Sequence, residues 1–191
     1  MRKLVYYVAV SLDGYIAGPR GEVDFYPLCD DMTTWINENY PESVPTHIRE
    51  HVGMPVETPN RLWDTAIMGR GTYDPALEAG VTSPYHHLKQ YVFSRTLAPA
   101  DNPQVDIVDT DPAELVRKLK LEEGLDIWLC GGSSLAGQLI DEIDQLIVKS
   151  YPVIVGDGLP ALSGNFAPAR FTVTQRREFS SGAQMTWLDR A

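Results

Sequence analysis

Three short segments place a hydroxyl and, in two cases each, glycine and a guanidinium where an apolar run gives way to a polar one. In Trp128-Leu129-Cys130-Gly131-Gly132-Ser133-Ser134 a strand is expected to run through a Gly-Gly turn into a helix. Glycine lets the backbone approach a ligand closely. The helix behind it offers free N–H groups to an anion, beside the Ser133 and Ser134 hydroxyls. Gly69-Arg70-Gly71-Thr72 repeats the arrangement after Leu62 to Met68 and adds an arginine, whose planar fork matches a phosphate. Ser94-Arg95, after Gln90-Tyr91-Val92-Phe93, offers a hydroxyl and a guanidinium for one terminal phosphate. Each has a plainer reading: a tight strand-helix connection, a surface arginine at a helix start, a solvated turn. Together they are more specific, because ligands of α/β sheets collect at the carboxyl ends of strands.

Two weaker patterns compete. Tyr85-His86-His87-Leu88-Lys89 has the Tyr-x-x-x-Lys spacing with which short-chain dehydrogenases lower a tyrosine's pKa. Such patterns arise often by chance, and no glycine-rich fingerprint follows the first strand. His86 and His87 point apart and lack a third ligand, so solvated histidines are expected rather than a metal site.

The elements that must position these groups alternate along the chain. Leu4 to Leu12 reads as a buried strand, and Asp13 to Asp31 as a glycine- and proline-bearing loop. A short helix is expected from Asp30 or Asp31. The proline-rich stretch 37–61 reads as a surface excursion with a short helix near Thr46 to His51. Val105 to Val108 is a strand, and Asp111-Pro112 caps a helix through Leu121. Asp126 to Cys130 is a strand, Ser133 to Ile143 a helix and Gln145 to Val155 a long strand. Arg170 to Phe179 and Ala183 to Asp189 form a closing antiparallel hairpin. This order predicts an α/β fold with a mixed, mostly parallel central sheet flanked by helices.

The 191 residues suit a single domain over 1–191, and 43% hydrophobic with 22% charged residues is a globular composition. A net charge of −10 without any Lys/Arg run argues against nucleic acid or an anionic membrane as partner. It still permits a small phosphate held locally. No run approaches the roughly 20 apolar residues of a membrane span, and the start lacks the form of a signal peptide. Cys29 and Cys130 suggest neither a metal nor a disulfide framework. The cytoplasm is the expected compartment.

The ordered set Val8-Ala9-Val10-Ser11-Leu12-Asp13-Gly14-Tyr15-Ile16-Ala17, Met68-Gly69-Arg70-Gly71-Thr72-Tyr73, Val92-Phe93-Ser94-Arg95-Thr96, Cys130-Gly131-Gly132-Ser133-Ser134-Leu135 and Pro152 to Gly158 resembles the dihydrofolate-reductase-like superfamily. More closely, it resembles the branch holding the reductase domain of the riboflavin-biosynthesis deaminase-reductase. The resemblance spans nearly the whole chain.

It implies an NADPH-dependent reductase acting on a small heterocycle of pterin or pyrimidine type, and a homodimer. Gly131, Gly132, Ser133, Ser134 and Leu135 would lie against the pyrophosphate, often with a cis peptide in that family. Gly69, Arg70, Gly71 and Thr72 would serve its other side. Ser94 and Arg95 would hold the 2′-phosphate, and Ala9 and Ile16 would line the nicotinamide beneath a lid.

The chain also departs from that pattern. It carries Tyr6-Tyr7-Val8 on the first strand, where the riboflavin enzyme often has a lysine, and it has Arg70 where that enzyme usually lacks arginine. For the pterin-binding carboxylate of dihydrofolate reductases, the choice lies among Asp24, Asp30 and Asp31. Asp31 is preferred as the helix opener, although an acid there is more often a cap. Asp13 is a turn residue before it is an acid catalyst. A non-catalytic binding protein on the same fold is the other class, and a carboxylate beside the nicotinamide would distinguish them.

Overall fold

The computed structural model describes residues 1–191, built around one eight-stranded sheet. In chain order the elements are β1 (Leu4–Val10), β2 (Tyr15–Ala17), α1 (Asp30–Asn39), β3 (Trp63–Gly69), α2 (Arg70–Glu78), β4 (Lys89–Phe93) and β5 (Val105–Val108). They continue with α3 (Pro112–Leu121), β6 (Asp126–Gly131), α4 (Ser133–Gln138), β7 (Gln145–Ser150), β8 (Leu159–Pro160), β9 (Phe171–Glu178) and β10 (Gln184–Arg190). The strands lie in the order β5-β4-β3-β6-β1-β7-β10-β9. The first six are parallel, and β10 runs antiparallel to both β7 and β9. The small pair β2-β8 is antiparallel.

Burial on both faces explains the apolar parallel strands. Successive side chains of a strand point to opposite faces. Val5 and Tyr7 of β1 therefore join Met68, Trp128, Ile147 and Trp187 in one core, closed by Met32 of α1. Leu4, Tyr6 and Val8 join Ile67, Leu129, Val116, Leu119 and Leu135 in the other, closed by α3 and α4. Each large side chain buried this way contributes roughly 1.5–3 kcal/mol. α3 begins as its sequence predicts, with Pro112 in the first turn and the Asp111 carboxylate accepting from the Glu114 amide at 3.0 Å.

Four expectations need correcting. The segment Asp13 to Asp31, read as a loop, carries the short strand β2, which pairs with β8. β7 ends at Ser150, not Val155, because Pro152 has no N–H for the ladder. α4 ends at Gln138, not Ile143: the carbonyls of Ile140 and Ile143 accept bonds from the Arg190 guanidinium instead of extending the helix. The region 37–61 holds three single 3₁₀ turns, Pro41–Ser43, Thr46–Ile48 and Glu50–Val52, in place of one short helix. Its prolines lack the donors that would pair local carbonyls. Buried Arg49 supplies them, donating to the carbonyls of Pro41 (3.1 Å), Val56 (2.7 Å) and Thr58 (3.3 Å). Buried Glu42 accepts from the Leu62 amide at 2.8 Å and from that of Arg61.

Candidate active-site cleft

The carboxyl ends of β1, β3, β4, β6 and β7 open into one cleft of about 1580 Å³. Ordinary small-ligand pockets hold roughly 300–1,000 Å³, so this one has room for a dinucleotide and a second molecule. Ala9, Ile16, Gly69, Arg70, Gly71, Thr72, Ser94, Arg95, Gly131, Gly132, Ser133, Ser134 and Leu135 all line it. Residues scattered over 127 positions of sequence are brought together because a parallel sheet places all its strand ends on one side.

Three features suit phosphates. At the β6–α4 turn, a Cβ on either Gly131 or Gly132 would meet the Thr72 hydroxyl at 3.3 Å, so the two glycines leave the space in front of Thr72 clear. Gly131 has φ +141°, a conformation side-chain-bearing residues rarely adopt, and the Gly131–Gly132 peptide is cis. The Ser133 hydroxyl is buried with no partner, a group that a ligand oxygen could satisfy. α4 spans only six residues, so any anion site here relies on these local donors more than on a helix dipole.

The two arginines differ. Arg70 faces Asp74 at 3.2 Å and donates to the Thr96 hydroxyl at 2.6 Å, so its charge is partly answered. Arg95 is exposed and has no protein partner, while neighbouring Ser94 accepts from the amides of Thr96 (3.2 Å) and Leu97 (3.1 Å). Such a hydroxyl still has its proton to donate.

None of the four candidate carboxylates, Asp13, Asp24, Asp30 and Asp31, lines the cleft. Asp13 accepts from the Ser11 hydroxyl (2.6 Å) and from the amides of Gly156 (2.7 Å) and Val155, and these bonds hold its carboxyl down near 2. It pins the β1–β2 turn to the 153–158 loop. Asp31 accepts from the Ser180 amide (2.8 Å) and hydroxyl (3.0 Å), which likewise hold it near 2, and so ties α1 to the β9–β10 turn. Asp24 is exposed on the loop. The acids that do line the cleft, Asp74, Glu78 and Asp109, stand on α2 and beyond β5, at the Arg70–Arg95 side.

The Tyr85–Lys89 pair also comes apart. Lys89 faces Asp106 at 3.0 Å and the Pro103 carbonyl at 3.1 Å, away from the cleft, whereas Tyr85 lines it. His86 is exposed as expected, but His87 is not solvated. It bonds the Thr46 hydroxyl at 2.7 Å and the Glu42 carbonyl at 3.0 Å, and burial lowers its pKa to about 4.

The floor of the cleft includes Tyr7, Tyr26 and Lys149, which none of the sequence motifs contains. Tyr7, Tyr26, Trp128, Cys130 and Lys149 face it together with Tyr85. Tyr85 meets Trp128 edge-on at 4.9 Å, and the Tyr26 hydroxyl lies 3.1–3.2 Å from the carbonyls of Ala9, Tyr15 and Ile16, clamping β2 onto β1. The Lys149 ammonium stands 4.1 Å from the centre of the Tyr7 ring. Burial pulls its pKa down to about 8 and pushes the Cys130 thiol up to about 12.

Residues 2–185 match the family described as the RibD C-terminal domain. The chain belongs to that family. It is similar to two uncharacterized proteins of Bacillus subtilis strain 168: YyaP, 31% identical over 196 residues (95% of this chain, 91% of YyaP), and YwjB, 26% identical over 189 residues (98% of each). Its fold superposes with TM-score 0.72 on a Shewanella sp. PV-4 protein named for riboflavin biosynthesis, at 21% identity and 99% coverage of both chains. A Thermotoga maritima diaminohydroxyphosphoribosylaminopyrimidine deaminase/5-amino-6-(5-phosphoribosylamino)uracil reductase superposes with TM-score 0.64 at 17% identity, covering all of this chain and 57% of that one. The dihydrofolate-reductase-like fold and the RibD-type reductase family are therefore both established for this chain.

Within the RibD C-terminal family, this member has no lysine among Tyr6-Tyr7-Val8, yet a lysine from the adjacent strand β7 lies over the Tyr7 ring. One signal for it was present in the sequence. In Leu146-Ile147-Val148-Lys149-Ser150-Tyr151 a single charge stands between Ile147 and Tyr151 on an otherwise apolar face of the strand. A buried-strand lysine without a local partner is unusual enough to mark a site.

Proposed function

We propose that this RibD-type reductase uses NADPH to reduce a C=N or C=O bond of a small planar heterocycle of pterin or pyrimidine type. The observation that carries the reading is the convergence of three strand ends on one cleft, with the unpaired Arg95 guanidinium at one end. Gly131 to Leu135 and Gly69 to Thr72 would hold the pyrophosphate, Ser94 and Arg95 the 2′-phosphate, and Ala9 and Ile16 the nicotinamide side. Bound there, the cofactor supplies a hydride, and the protein's part is to position the pair and exclude water. A 1580 Å³ cleft leaves space for the heterocycle above the aromatic floor.

A second reading, a nucleotide-binding protein without turnover, draws support from the lack of a carboxylate among the floor residues. Fluorescence titration of the protein with NADPH and NADH separates both readings from failure. NADPH is expected to bind at least about tenfold more tightly, since a charge-assisted phosphate contact contributes on the order of 1.5–3 kcal/mol. No binding of either nucleotide, or equal binding of both, rejects the assignment. Turnover with dihydrofolate or 5-amino-6-(5-phosphoribosylamino)uracil then favours the enzyme, and NADPH binding without turnover of either favours the second reading. A homodimer in the cytoplasm belongs to the same proposal. The outer strand β9, exposed along nearly its whole length, leaves a free edge for pairing, and sedimentation equilibrium tests it.

A further inference from the structure

Lys149 stands at a position that the alternation of β7 assigns to the core. Its same-face neighbours Ile147 and Tyr151 are buried among apolar side chains. The intervening Lys149 instead lines the cleft, with the Tyr7 ring under its ammonium. The other lysines with close partners show what is missing: Lys120 reaches Asp144 at 2.7 Å and Lys89 reaches Asp106 at 3.0 Å. Lys149 forms no ion pair and no hydrogen bond. Taking an ammonium out of bulk water without a counter-charge is costly, and the cost is met when an electron-rich ligand atom occupies the space it faces.

The surroundings narrow that ligand. From β1 comes Tyr7, from β6 Cys130 and Trp128, from the segment before β4 Tyr85, from the loop before α1 Tyr26, and from the end of β7 Tyr151. These are aromatic faces and a thiol, with no carboxylate among them. A flat ring carrying C=O or C=N groups suits such a floor, and a cationic ring does not, because Lys149 would repel it.

We propose that Lys149 is a catalytic residue: its ammonium receives the nitrogen or oxygen of the substrate's reducible double bond and gives it a proton. The assignment rests on the reductase reading above. The carbon of that bond takes the hydride that NADPH supplies, the π electron pair moves onto the nitrogen or oxygen, and that atom takes a proton from Nζ. Lys149 is left as a neutral amine and regains a proton from water. The sum is one hydride and one proton added across one double bond. A general acid works best with a pKa near the operating pH, and burial brings this lysine to about 8. Cys130 and Tyr26 are both pushed up to about 12 and Tyr7, Tyr85 and Tyr151 are raised by burial, so Lys149 is the floor group that changes charge between pH 6 and 9.

The test is calorimetric titration of the NADPH-loaded protein with barbiturate, a flat pyrimidine trione that is an anion throughout that range. Wild-type protein is expected to bind it, with affinity falling as pH rises through about 8. Lys149→Met and Lys149→Gln are expected to lose at least about tenfold in barbiturate affinity and the pH dependence with it, while NADPH affinity stays within about twofold. That last measurement also reports whether each variant is folded. Absence of barbiturate binding to NADPH-loaded wild type, or equal affinity and pH profile in wild type and a folded variant, overturns the role of Lys149 alone. Failure of wild type to bind NADPH overturns the reductase reading first, and the role of Lys149 falls with it.

Discussion

The two halves of the cleft are built in different ways. The arc formed by Gly69 to Thr72, Ser94-Arg95 and Gly131 to Leu135 consists of backbone turns at strand ends, with short hydroxyl side chains and two arginines. The floor formed by Tyr7, Tyr26, Tyr85, Trp128, Cys130 and Lys149 consists of side chains projecting from one face of the sheet and from two segments that fold over it. A turn that must let a ligand close to the backbone restricts its residues to a recognisable set, and glycine leads that set. A floor made of side chains has no such local grammar. Its members are chosen by strand register and by which face each residue takes.

Four experiments break or sharpen this contrast. The largest effect is expected at the arc. Arg95→Ala should weaken NADPH about 30- to 100-fold and NADH less than about threefold, because only the 2′-phosphate loses its partner. Titration of both nucleotides measures it, and an equal loss for both would remove Arg95 from the phosphate site.

Gly137→Ala probes the support behind the arc. An added Cβ on this α4 residue would lie on the Ser163 carbonyl, which is backbone and has little freedom to give. Overpacking of this kind costs about 1–3 kcal/mol. Urea unfolding should show that loss, and unchanged stability would mean that the 159–165 segment yields freely.

At the floor, Lys149→Met should stabilise the protein. The folded value of about 8 lies below the ordinary 10.5, so the folded state binds this proton less well than the unfolded chain. Below pH 8 the folded protein therefore carries the full cost of the ammonium, and the cost fades as pH rises toward 10.5. With water in the cleft screening the charge, the gain is on the order of 1–2 kcal/mol at pH 7. It should vanish above pH 10.5. A variant less stable than wild type at pH 7 would mean that the ammonium is already compensated within the protein.

The smallest effect belongs to His87, outside both halves. Its pKa falls from 6.5 to about 4 in the folded protein, so its neutral form contributes stability that is complete above pH 6.5 and is lost as pH drops through 4. Discounted for partial exposure, the loss is about 1–2 kcal/mol. The urea midpoint of His87→Gln should change less than that of wild type between pH 7 and 4. Identical acid limbs would assign the loss elsewhere.

Legibility followed the same division through the rest of the chain. The strands of the eight-stranded sheet and α3 could be read because apolar runs and the Asp111-Pro112 cap are local signals, whereas the short pair β2-β8 lay in segments read as loops. The 37–61 region could not, since its order depends on Arg49 and Glu42, charged residues that look like surface and are buried by carbonyls and amides from distant turns. Asp31 was legible as a helix opener, but its bonds to Ser180 hold two elements together and keep it from the cleft. Tyr85 belonged to a pattern whose other member, Lys89, points away, because β4 begins at Lys89 and directs it to Asp106.

By itself the sequence determined the class of sheet, the strand ends where a phosphorylated ligand can sit and the resemblance to one reductase family. These depend on hydrophobic period and turn chemistry, which are properties of neighbours along the chain. Only the tertiary structure decided which arginine is free, that Asp13 and Asp31 tie distant segments together, and that a lone lysine stands among the aromatic side chains of the floor. Each of those depends on which charge finds a partner across the fold, and partners separated by 26 to 149 positions, as for Arg70 with Thr96 or Asp31 with Ser180, are brought within bonding distance only by packing.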